Sequence, residues 1–129
     1  MTVELKYLVL VTAFTALMWI PYILNIISVR GLLGAVGYPE NPEPMAPWAE
    51  RMKAAHYNAV ENLVVFAALV LAAHAAGVHG GGTVLACVVY FWARVVHCFA
   101  YTFKIPWVRT LAFAVGFLCQ MTFAWKLLF

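Results

Sequence analysis

Charge is scarce in this 129-residue sequence: charged residues make up 10% of it and hydrophobic ones 66%. A soluble domain carries about 25% charged residues, so this composition excludes an ordinary water-exposed globule and points to an integral membrane protein. The formal net charge of +3 and the lack of any Lys/Arg tract argue against a nucleic-acid partner. Cysteine is also sparse. Cys87, Cys98 and Cys119 lie in apolar sequence without C-x-x-C spacing and read as packed, reduced thiols. The four histidines are too scattered for ligand spacing, since His74 and His79 flank a turn while His56 and His97 fall on different helices. No bound metal is expected. The glycine-rich segment Gly77 to Gly82 lacks the lysine and preceding strand of a phosphate loop, so its glycines read as turn residues.

Long apolar runs are what the chain does have. A membrane span needs roughly 20 mostly apolar residues, and four segments meet or approach that length. They are predicted at about 5–29, 47–76, 83–103 and 107–128, giving one all-α domain, a four-helix membrane bundle. Met1 opens almost directly into the first span with no small-residue cleavage site, so that span is read as retained. Pro21 interrupts it and predicts a kink. The second span has a short apolar part, Leu63 to Ala76, preceded by a helix-compatible stretch from Trp48. At 1.5 Å per residue the whole would reach about 43 Å and project from the bilayer. Pro47 suits its first position, and Glu50 suits the positive end of its dipole. The connection from Arg30 to Ala46, with Pro39, Pro42 and Pro44, reads as a loop.

The polar residues inside this frame fall into two groups. Asn58, Glu61 and Asn62 share a face of the second span, with Arg51 two turns below Asn58 on that side. Tyr90, Arg94, His97, Tyr101 and Lys104 recur at steps of four and three, which places them on one face of the third. Glu61 at the mouth of a span is costly and calls for a partner, and Arg94 is the natural counter-charge. A plain buried ion pair holding two helices is one reading. The surplus of amides, a histidine and tyrosines at matching spacing suits a polar, charged ligand instead. Tyr90 reads as packing, Lys104 as a charge snorkelling from a helix end, and Gln120 as an inter-helix bond. Arg30, Arg51, Lys53, Lys104 and Arg109 lie on one side and Lys6 and Lys126 on the other, which predicts termini outside and the polar cluster facing the cytoplasm.

The segments E-R-M-K-A-A-H-Y-N-A-V-E-N (Glu50 to Asn62) and A-R-V-V-H-C-F-A-Y-T-F-K (Ala93 to Lys104) resemble the MAPEG superfamily, the membrane-associated proteins in eicosanoid and glutathione metabolism. The likeness covers nearly the whole chain and suggests a bacterial-type member, similar to microsomal glutathione transferase and, in span three, to microsomal prostaglandin E synthase. It implies a homotrimer in a membrane, the bacterial inner membrane for such a member, with glutathione as co-substrate between neighbouring subunits near the cytoplasmic surface. By the resemblance, Arg30 holds a glutathione carboxylate, and Asn58 and Glu61 contact its peptide and amine. Arg94, His97 and Tyr101 line the same site, joined by Arg51 and Asn62 on the face they share with Asn58. Arg109 stabilises the thiolate, with Thr110 beside it as a hydroxyl. The chain departs from the family pattern at Ala54 and Tyr57, where other members carry arginines associated with glutathione binding.

The expected activity is that of a glutathione-dependent transferase or peroxidase attacking a lipophilic electrophile delivered from the bilayer. Two other readings stay open. A small proton-coupled multidrug exporter would use Glu61 as its coupling carboxylate, although such a group usually sits deep among apolar residues. A catalytically inactive scaffold of the same family would fit the missing arginines.

Overall fold

The computed structural model describes residues 1–129 as an all-helical chain. Five helices make four spans: α1 (Val3–Leu17) and α2 (Trp19–Val36) together form the first, followed by α3 (Pro47–Ala75), α4 (Gly81–Thr102) and α5 (Pro106–Leu128). Each span is long and apolar enough to cross a bilayer.

The break between α1 and α2 falls at Met18, three residues before Pro21. Proline offers no amide to the carbonyl four residues back and its ring crowds that carbonyl, so the helix cannot run straight through. The Met18 amide instead bonds the Thr15 carbonyl at 3.3 Å, a tightened last turn. The first span also runs beyond its expected end. Residues 30–36, expected in the loop, are helical, with a kink at Gly31 (φ 73°). Leu32, Leu33, Ala35 and Val36 are good apolar helix residues, and glycine alone takes that positive φ at no steric cost. The prolines beyond Gly37 then keep the chain from continuing.

At the end of α3, Gly77 (φ 70°) closes the helix. The amides of Gly77 and Val78 return to the carbonyls of His74 and Ala73, which satisfies the last turn and folds α4 back. The core of the bundle is built from α1, α3, α4 and α5. Phe66 stacks on Tyr90 at 3.7 Å between ring centroids and meets Phe123 edge-on at 6.0 Å, with Val11, Val70 and Cys87 around them. At the end holding the N-terminus and the α3–α4 turn, Glu4 is buried. It accepts the Thr83 hydroxyl at 2.7 Å and lies 3.7 Å from His79. The opposite end gathers the α2–α3 loop, the start of α3 and the α4–α5 corner.

Candidate functional site

Helical spacing on α4 sets the site. Tyr90, Arg94 and His97 are buried on one face, with Tyr101 half-buried a turn further on and Lys104 exposed at the corner. Arg94 is 3% exposed, yet no carboxylate approaches it. Its Nη2 donates to Asn58 Oδ1 at 2.7 Å and faces His97 Nδ1 at 3.4 Å, while its Nε is buried without a partner. A guanidinium only donates, so this contact is a hydrogen bond in the tautomer whose Nδ1 carries no proton.

The expected Glu61–Arg94 pair is absent, and Asn58 takes its place. The reason lies in α3. Asn62 is half-buried, and Gln120 of α5 donates to its carbonyl at 3.2 Å. Neighbouring residues on a helix point about 100° apart, so turning Asn62 inward swings Glu61 onto the exposed flank. Asn62 in turn donates to the Asn58 carbonyl at 2.9 Å and to Asn58 Oδ1 at 3.3 Å, which orients the amide that meets Arg94.

Arg109 and Thr110, on the first turn of α5, complete the polar cluster. The Arg109 guanidinium lies over the Tyr101 ring, 4.8 Å from its centroid. Together with Asn58, His97, Tyr101, Thr110 and Phe113 it lines a cleft of about 290 Å³. The Thr110 hydroxyl donates to the Pro106 carbonyl at 3.1 Å and keeps its lone pairs free for another donor. Phe113 had no signal in the sequence beyond being one more apolar residue on an apolar helix. A second cleft of about 420 Å³ lies across Tyr101 and Arg109, and it adds Arg51 and Lys104. Arg51 donates through Nε to the Thr102 carbonyl at 2.9 Å, one of the carbonyls left free where α4 ends.

Arg30 is not brought to this cluster. Its Nε donates to the Glu43 carbonyl at 2.6 Å, and Asn25 Oδ1 accepts from the Ala46 amide at 3.0 Å, so both residues tie the loop back onto α2. The two charged residues expected in the site thus stand apart from it, Arg30 half-buried against the α2–α3 loop and Glu61 exposed on the flank of α3. A further pair was missed by sequence reasoning altogether: the buried Tyr22 hydroxyl meets His56 Nδ1 at 2.7 Å and locks α2 onto α3. An apolar cavity of about 550 Å³ lies at the α1–α2 break, lined by Phe14, Met18, Pro21, Met52, Cys98 and Phe99 among others, and shares no residue with either polar cleft.

A family model described as the MAPEG family matches residues 8–129. The chain belongs to the MAPEG family. It is accordingly an integral membrane bundle of the superfamily concerned with glutathione and eicosanoid metabolism. No curated protein matches it. The family match spans nearly the whole chain, the α3 and α4 segments of the cluster included.

Proposed function

We propose that this MAPEG protein is a membrane-embedded glutathione-dependent transferase that presents the glutathione thiolate to lipophilic electrophiles. The observation that carries the reading is Arg94, a buried cation with an amide and an imidazole as its side-chain neighbours and no acid. An unpaired buried charge is costly, and an anionic ligand entering from the adjoining cleft offsets that cost. Glutathione suits the donor set because its carboxylates outnumber its ammonium. Asn58, Tyr101 and Thr110 offer hydroxyls and an amide for its peptide groups.

A thiol with an ordinary pKa near 8.5 is only a few per cent ionised at neutral pH. A guanidinium held at a water-poor rim favours the anion, and Arg109, fixed over Tyr101, is the residue placed to do this. In the transfer step the sulfur forms a bond to the electrophilic carbon, the leaving group departs with its electron pair, and the thiol proton passes to water. No protein nucleophile takes part. Arg30 and Glu61, which do not reach the cleft of their own chain, are free to complete the site of a neighbouring copy. A homotrimer with shared sites, as the family resemblance implies, would use them in that way. The cationic end of the bundle would face the cytoplasm, in keeping with the positive-inside rule.

The test is calorimetric titration of glutathione into detergent-purified protein, alongside conjugation of a chromogenic electrophile. Binding that is lost in Arg94→Met, with conjugation lost in Arg109→Ala, is expected. Protein that neither binds nor conjugates glutathione in its native oligomeric state would overturn the proposal.

A further inference from the structure

The second cleft, at the corner between α4 and α5, gathers Arg51, Lys104 and Arg109 with no acid among its lining residues. None of the three is in an ion pair. The Nε of Arg51 is committed to the Thr102 carbonyl, which fixes the side chain and leaves its terminal amino groups for another acceptor. Lys104 is held at φ 61°, the one residue other than glycine with a positive φ. It closes α4: the Ile105 amide bonds the Ala100 carbonyl at 2.8 Å and the Lys104 amide bonds Tyr101 at 3.3 Å. Glycine or asparagine fills that position with less strain, so the backbone gives no reason for a lysine there. Lys104 does line the cleft, which brings its positive charge to this corner. Ala100, Tyr101, Ile105 and Pro106 complete the lining, and Ile105 and Pro106 are the cap and first residue of α5, so the positive end of that helix dipole adds to the three cations.

The setting indicates the source of the anion. The cleft sits where helices end, and the residue after Pro106 in sequence, Trp107, is 77% exposed. Aromatic rings of this kind mark the boundary between acyl chains and headgroups. Cations at that level meet lipid phosphate before they meet any dilute solute.

We propose that the α4–α5 corner binds the phosphate of an anionic phospholipid headgroup, with Arg51 and Lys104 as its ligands. This goes beyond the thiol chemistry and does not depend on it.

The full chain, purified in neutral detergent without glutathione, is titrated with phosphatidylglycerol and with phosphatidylcholine, and bound lipid is counted by native mass spectrometry. Phosphatidylglycerol is expected to bind more tightly, and more weakly as salt rises. Lys104→Gln, which keeps the backbone demand, and Lys104→Gly, which relieves it, should each weaken that lipid by about 5-fold while leaving phosphatidylcholine unchanged. Arg51→Gln should do the same, which keeps the test informative if one lysine variant folds poorly. Equal binding of the two lipids, or unaltered phosphatidylglycerol binding in all three variants, would overturn the proposal. So would displacement by soluble glycerol phosphate at concentrations matching the lipid, which would make a soluble phosphate the occupant.

Discussion

The environment of Arg94 makes a prediction about stability whose sign differs between two partners in one hydrogen bond. Asn58→Ala removes the side-chain acceptor from a guanidinium that is 3% exposed. A hydrogen bond to a charged group contributes about 1.5–3 kcal/mol, and the orphaned charge remains in place, so this variant should lose about 2 kcal/mol. Arg94→Met removes the charge itself and fills much of the same volume. Replacing buried ionic groups by apolar ones of similar shape ranges from neutral to stabilising by about 1–4 kcal/mol. Asn58 is half-buried and keeps Asn62 as a neighbour at 3.3 Å, so it is not stranded. Arg94→Met should therefore unfold no earlier than the parent protein.

In the double variant the Asn58→Ala cost should shrink to a few tenths of a kcal/mol, because the group it offended is gone, and the cycle then isolates the Asn58–Arg94 coupling. The loss of the Asn62 contact is common to both arms and cancels. Unfolding by a denaturing detergent supplies the free energies, and glutathione titration of the same samples supplies affinities. A protein in which Arg94→Met is the more damaging single change, with glutathione affinity intact, refutes the reasoning. Arg94 would then be a structural strut rather than a cation kept for an anion.

Arg109→Ala should lower the conjugation rate by about 10²–10³ with little change in unfolding, as for loss of one preorganised donor to a developing anion, measured by steady-state kinetics. Tyr22→Phe removes the bond to His56 between α2 and α3 and should cost about 1 kcal/mol in detergent unfolding without altering glutathione affinity. Thr83→Val leaves the buried Glu4 carboxylate without its hydroxyl donor and should cost about 1–3 kcal/mol, whereas Glu4→Gln, which can still bond Thr83, should cost less. Gly116 has the Tyr90 ring 3.6 Å and Arg94 Cδ 3.8 Å from where a Cβ would stand. Gly116→Ala should thus be tolerated, and Gly116→Leu should cost about 1–3 kcal/mol through overpacking, read by the same unfolding assay.

The parts of the bundle visible in the sequence were those governed by one helix at a time. The α4 stripe from Tyr90 to Tyr101 follows from a period of 3.6 alone, and its members do share the buried face. Pro21 announces the α1–α2 break because the missing amide is a local fact. The extension of α2 to Val36 was hidden because the prolines from Pro39 onward make the whole stretch from Arg30 read as a loop. In the structure the positive φ of Gly31 only bends the chain, and apolar residues resume the helix beyond it. Lys104 gave no hint of its left-handed backbone, since that conformation follows from how α4 must end to let α5 return.

Pairings between helices were legible by chemistry but not by rotation. Opposite charge makes Glu61 and Arg94 the obvious couple, and spacing puts Glu61 within one turn of Asn58. Which of the two faces α4 depends on the rotation of α3, and Gln120 of α5 helps to set that rotation by claiming the Asn62 carbonyl. With Asn62 turned in, geometry leaves Glu61 on the flank, about 100° away, among exposed Val60, Val64 and Val65. Arg30, on a different helix, is kept from the cluster for an unrelated reason, its tie to the loop carbonyl of Glu43. A carboxylate beside an apolar helix flank is as poorly placed for lipid as a guanidinium without an acid is for a helix interior. The chain thus carries a buried cation that wants an anion and an exposed anion that wants a cation, and its own fold keeps them apart. A charged ligand at the first and a neighbouring copy at the second would satisfy both.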